Sequence, residues 1–77
     1  MKNIKIFGSG CRNCKMTYAN VEKVVKESGT DAAIVKEENI EEIVKHGIMS
    51  TPAVMIDGTI VHAGGVPDEI EIRKWFE

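Results

Sequence analysis

The stretch Gly8-Ser9-Gly10-Cys11-Arg12-Asn13-Cys14 decides how this chain is read. It contains the only two cysteines, three positions apart, where an apolar strand (Ile4, Ile6, Phe7) gives way to a helical pattern. Side chains at i and i+3 of a helix are neighbours, with Cβ atoms about 5–6 Å apart. A disulfide needs a Cβ separation of about 4 Å, so bond formation and cleavage there require little backbone movement. A ring closed over only four residues would stabilise the fold by roughly 2 kcal/mol on the chain-entropy formula, against about 4.7 kcal/mol for a 100-residue loop. The pair is a weak staple and a suitable switch.

Working outward, the glycine-rich turn leads into an amphipathic helix from Arg12 to about Ser28. Cys14, Tyr18, Val21 and Val25 recur at spacings of four, three and four, while Lys15, Glu22, Lys23 and Lys26 lie mainly opposite. Gly29 can end that helix, and Ala32-Ala33-Ile34-Val35 then reads as a strand buried on both faces. Asn39-Ile40-Glu41-Glu42 has the spacing of a capping box and opens a second helix with Ile40, Ile43 and Val44 on one side. Gly47 closes it. After Ile48-Met49-Ser50-Thr51-Pro52 come two strand-like runs, Ala53–Ile56 and Thr59–Ala63, joined by Asp57-Gly58. An Asp-Gly link between such runs predicts a two-residue hairpin. Gly64-Gly65 ends the second run. Pro67 suits the first turn of a last helix, Asp68 and Glu69 complement its dipole, and Ile70, Ile72, Trp75 and Phe76 supply apolar surface. The expected order is β-α-β-α-β-β-α, in one domain over residues 1–77.

Composition narrows the function. The chain has 77 residues, 43% hydrophobic and 29% charged, a net charge of -2, and no repeat or low-complexity tract. Its acidic residues concentrate at Glu37, Glu38, Glu41 and Glu42, and no basic stripe is available for phosphates, so nucleic acid is not an expected partner. The first residues alternate charged and apolar side chains instead of forming an apolar signal segment or membrane anchor, which points to the cytoplasm. Reducing systems there keep ordinary thiols reduced, so a close cysteine pair is expected to be catalytic or metal-binding.

With Cys11-Arg12-Asn13-Cys14 after the first strand and Thr51-Pro52 before the third, the chain resembles the thioredoxin and glutaredoxin superfamily. It is most similar to the small prokaryotic redox-active disulfide proteins, which are glutaredoxin-sized with thioredoxin-like activity. The resemblance implies a thioredoxin-like fold: a four-stranded mixed sheet flanked by three helices. It implies thiol-disulfide exchange with protein disulfides, no bound cofactor, and a flavoprotein reductase of thioredoxin type as electron donor. It also implies that the bond before Pro52 is cis and faces the two cysteines, and that the backbone of Thr51 pairs with an extended substrate segment.

Three features depart from that pattern. Cys-Arg-Asn-Cys replaces both Cys-Gly-Pro-Cys and Cys-Pro-Tyr-Cys, Gly10 stands where thioredoxins have tryptophan, and the first strand carries Ile4, Ile6 and Phe7 without the buried aspartate that assists proton transfer in thioredoxins. Cys11 is read as the nucleophile and Cys14 as the resolving residue. The first turn of a helix stabilises a thiolate, and Arg12 adds a cation or is simply a surface charge. Gly64-Gly65 serves either as a turn or in binding a peptide or glutathione carboxylate. Substrate contact is expected from Gly10, Arg12, Thr51, Pro52, Gly64 and Gly65. His46 and His62 read as solvated or packing residues, Tyr18 as core, and Met49 with Ile48 as either packing or a hydrophobic rim. Two alternatives stay open: a glutathione-dependent glutaredoxin, and a heavy-metal carrier of the C-x-x-C type, which Ser9 and the helical C-terminus disfavour.

Overall fold

The computed structural model describes residues 1–8 and 12–76. Seven elements follow in the expected order: β1 (Lys2–Phe7), α1 (Arg12–Ser28), β2 (Ala32–Glu37), α2 (Ile40–Lys45), β3 (Ala53–Ile56), β4 (Thr59–Ala63) and α3 (Glu69–Lys74). The strands form one mixed sheet in the order β2-β1-β3-β4. β1 runs parallel to β2 and antiparallel to β3, and β3 runs antiparallel to β4.

Successive strand side chains point to opposite faces, so the sheet has two cores. On one face, Ile4, Ile6, Val54 and Ile56 pack with Val21, Val24 and Val25 of α1 and Ile72 of α3. On the other, Phe7, Ala53 and Met55 pack with Ile48 and half-buried Ile43 of α2. The central strand β1 is therefore apolar at Ile6 and Phe7 in succession because both faces are covered at that end.

β2 does not lie buried on both faces. It is an edge strand whose residues Ala32, Ala33 and Ile34 are only half-buried, and Val35 is 51% exposed. Six-residue α2 is too short to cover the second face along its whole length. Its own apolar side is mostly open, with Ile43 packed but Ile40 and Val44 exposed.

The caps differ in detail from the sequence expectation. Asn39 caps α2, but its side chain accepts from Glu41 N–H at 2.9 Å. The Asn39 N–H donates to the Glu37 carboxylate at 3.2 Å, the bond a capping box would assign to Glu42. Glu42 instead lies 3.7 Å from His46 Nε2. At the last helix, Asp68 is the N-cap and accepts from Glu71 N–H at 2.8 Å, so Pro67 precedes the helix and does not occupy its first turn. Fully buried Pro67 packs there, and its carbonyl accepts from Asn20 Nδ2 at 3.2 Å.

The Asp57-Gly58 hairpin forms as expected, with φ of 49° and 85°, the doubly positive pattern of a type I′ turn. It is also tied to the far end of β1. Asn3 N–H donates to Asp57 Oδ1 and Asp57 N–H donates to Asn3 C=O, both at 2.9 Å.

Candidate functional site

The site lies where β1 ends and α1 begins. Ser9, Gly10 and Cys11 fall outside the described residues, so the sequence expectations for Gly10 and Cys11 have no structural account. Cys14 lies in the first turn of α1, is 8% exposed, and is disulfide-bonded. One turn further on, Thr17 is fully buried and its hydroxyl donates to Asn13 C=O at 2.8 Å. That bond satisfies a polar side chain inside an otherwise apolar helix face. The sequence periodicity placed Tyr18 on this face; in the structure Tyr18 is half-buried against the core with Lys36 Nζ 4.7 Å above its ring.

Gly8, buried at the end of β1, touches the sulfur of Cys14: a Cβ at position 8 would overlap Cys14 Sγ. Its N–H donates to Glu37 C=O at 3.0 Å, extending the β1–β2 pairing one step past Phe7. A shallow concavity opens beside Cys14, lined by Ile6, Gly8, Lys15, Lys36 and Glu38. Lys15, Lys36 and Glu38 put charged side chains among its lining.

The second part of the site comes from β3 and β4. Phe7 is paired with Ala53, the last pair of the β1–β3 register, and Pro52 immediately precedes Ala53. Pro52 is fully buried, Thr51 is exposed, and the bond between them is cis, as the resemblance implies. Gly64 N–H donates to Pro52 C=O at 2.9 Å, and its φ of 82° is left-handed. The expected residues Pro52 and Gly64 are thus joined directly, while Gly8 adjoins Cys14.

Arg12 is exposed at the start of α1. Gly65 points its contacts elsewhere, since its carbonyl accepts from His62 Nε2 at 3.1 Å. His62 also stacks obliquely near Trp75, and His46 does so near Phe7. Both histidines have packing roles, and among the described residues no group of three or more His, Cys, Asp or Glu side chains is placed to hold a metal. Ile48 is packed in the core, whereas Met49 is 97% exposed.

Sequence reasoning took Gly8 as part of a flexible turn. Its conformation is ordinary, unlike the left-handed Gly64 and Gly65, and its small size is what matters. Nothing in a linear pattern distinguishes a glycine needed for space from one needed for φ. The contact between Gly64 and Ser50 was missed for the same reason.

A family model described as a thioredoxin domain matches residues 2–77. A thioredoxin of Methanocaldococcus jannaschii is 45% identical over 71 residues, covering 92% of this chain and 81% of its own length. A thioredoxin of Methanothermobacter thermautotrophicus is 36% identical over 74 residues, 96% of each protein. Among solved structures, a chloroplastic thioredoxin z superposes with a TM-score of 0.73 at 19% identity, covering 97% of this chain and 74% of that one. A malarial protein superposes with a TM-score of 0.65 at 20% identity, covering 97% and 96% respectively. These two likenesses concern the fold.

Proposed function

We propose, for a chain that belongs to the thioredoxin family and is a thiol-disulfide oxidoreductase, a division of labour in which Cys11 attacks and Cys14 resolves. As a protein-disulfide reductase of thioredoxin type, it passes two electrons to a target disulfide. The Cys11 thiolate attacks one sulfur of the target, forming a mixed disulfide and releasing a target thiolate that takes up a proton. The Cys14 thiol then loses its proton and attacks the Cys11 sulfur, releasing the second target thiol and leaving a Cys11–Cys14 disulfide. A flavoprotein reductase of thioredoxin type returns two electrons to that bond.

The observation that carries this assignment is the burial of Cys14 against Gly8. A protein disulfide is too bulky to reach a sulfur that is 8% exposed, whereas a neighbouring side chain one turn away can. The helix start and the adjacent Arg12 favour the thiolate on Cys11. Exposed Thr51 offers its backbone to an extended target segment, and we assign further substrate contact to Gly10, Arg12, Pro52, Gly64 and Gly65. We assign this activity to one domain spanning residues 1–77 working in the cytoplasm. No helix among the described residues is long and apolar enough to cross a membrane.

The test is trapping. Cys14→Ser should accumulate a covalent complex with target protein through Cys11, visible on non-reducing gels and by peptide mass. A complex trapped through Cys14 in a Cys11→Ser variant, with none through Cys11, reverses the roles. The glutaredoxin alternative is not favoured, because the curated relatives are thioredoxins. Reduction of the oxidised protein by NADPH and thioredoxin reductase, but not by glutathione, would agree with that ordering.

A further inference from the structure

We infer that Gly8 is a positioning residue that sets the redox potential, because only a residue without a Cβ leaves room for Cys14 Sγ in the disulfide state. The Gly8 backbone has little freedom to retreat. Its N–H is bonded to Glu37 C=O at 3.0 Å, and the preceding Phe7 is fully buried in the core of the second face. A Cβ placed there would overlap Cys14 Sγ and lie 3.0 Å from Cys14 Cβ.

The overlap acts differently on the two redox states. In the disulfide, Cys14 Sγ is held by its bond and by the narrow torsional range a disulfide allows, so it cannot turn aside. As a thiol, the same sulfur can rotate about Cα–Cβ into another staggered position. A methyl group at position 8 therefore penalises the oxidised protein more than the reduced one. The potential rises and the protein becomes a weaker reductant. Glycine at this position holds the disulfide comfortable and keeps the protein reducing.

This inference rests on the preceding reading in one respect, that the Cys14 disulfide is the bond reduced in turnover. The experiment equilibrates wild type and Gly8→Ala with reduced and oxidised dithiothreitol. Two electrons and two protons pass from the dithiol to the protein disulfide, leaving the cyclic disulfide of the reagent. Free thiols are counted by alkylation mass spectrometry. Gly8→Ala should shift the equilibrium at least tenfold towards the protein dithiol, a rise of about 30 mV. A smaller shift, or one in the opposite direction, overturns the inference.

Melting of both forms separates positioning from a merely structural role. Gly8→Ala should lower the transition of oxidised protein more than that of reduced protein, whereas general damage would lower both equally. If the oxidised variant does not fold, folding under reducing conditions supports the inference and failure in both states refutes it. Wild type that does not exchange with dithiothreitol at all would instead sink the functional reading.

Discussion

Alanine at Gly64 and at Gly65 gives a matched pair of perturbations, since both positions have left-handed backbone, with φ of 82° and 72°. The left-handed conformation costs a residue with a Cβ about 1–2 kcal/mol, so both variants share that loss. Their surroundings differ. A Cβ at Gly65 meets nothing within 4 Å, whereas one at Gly64 lies 3.1 Å from Ser50 Cβ and 3.8 Å from Ser50 Oγ. Ser50 or the Gly64 backbone must then give by a few tenths of an ångström, and Gly64 N–H is bonded to Pro52 C=O at 2.9 Å. Overpacking of this kind adds about 1–3 kcal/mol. Urea denaturation should therefore show Gly65→Ala losing about 1–2 kcal/mol and Gly64→Ala losing about 1 kcal/mol more. Because the displaced segment adjoins Thr51 and Pro52, Gly64→Ala should also raise KM for reduction of a protein disulfide. A tenfold rise would correspond to about 1.4 kcal/mol of lost binding. Ser50→Gly in the Gly64→Ala background removes the obstructing atom and should recover the excess loss. Equal losses of stability and equal KM values in the two alanine variants would refute the reasoning.

Ile72 is the single fully buried residue of α3, so Ile72→Ala should cost about 2–5 kcal/mol in urea titrations. Lys23→Ala, which removes only the 3.2 Å ion pair with Glu69 on the surface between α1 and α3, should cost less than about 1 kcal/mol. A reversed order would mean that charge, not packing, docks this helix. At the hairpin, Asp57→Asn should be nearly neutral in thermal melts, since asparagine tolerates φ of 49° and can accept from Asn3 N–H. Asp57→Ala loses both advantages and should cost about 1–2 kcal/mol; an alanine variant as stable as the asparagine one would show that the bond to β1 contributes nothing.

The order of elements was legible because its signals are local. Apolar spacing marked α1, Asp57-Gly58 marked the hairpin, Asn39 marked the start of α2, and the start of α3 was read one residue early, at Pro67 instead of Asp68. The features that sequence reading misplaced depend on what lies across space. An apolar run such as Ala32–Val35 looks the same whether a strand is central or at an edge, and only the strand order makes β2 an edge. The side chain that answers the Asn39 N–H is Glu37, from the end of β2, because the chain turns sharply between strand and helix. Ile40 and Val44 obey the helical pattern, yet α2 stands over one end of the sheet only and packs Ile43 alone among the three, half-buried, against it. At the site, Cys14, Pro52 and Gly64 could be named from sequence with the help of resemblance. Gly8 and Ser50 could not, since their importance is the volume of a neighbour far away in sequence or one turn off.

Cys14 belongs to neither of the two core clusters, and this bears on how a fold of this size tolerates redox change. Burying a Val, Leu, Ile or Phe side chain is worth about 1.5–3 kcal/mol, and Phe7, Ile4, Ile72, Val21, Val24 and Val54 are all fully buried. Against their combined contribution, the roughly 2 kcal/mol available from closing a four-residue ring is minor. Breaking the disulfide therefore leaves both cores intact, and the energy difference between oxidised and reduced protein is controlled by contacts at the sulfur itself. Gly8 is one of those contacts, and a single substitution can alter it without removing a core side chain. A change in stability from Ile72→Ala should lower the oxidised and reduced forms together and leave the potential unmoved, whereas a change at Gly8 should separate them. If Ile72→Ala shifted the potential as much as Gly8→Ala, the redox couple would be sensing global stability, and the local account of the switch would fail.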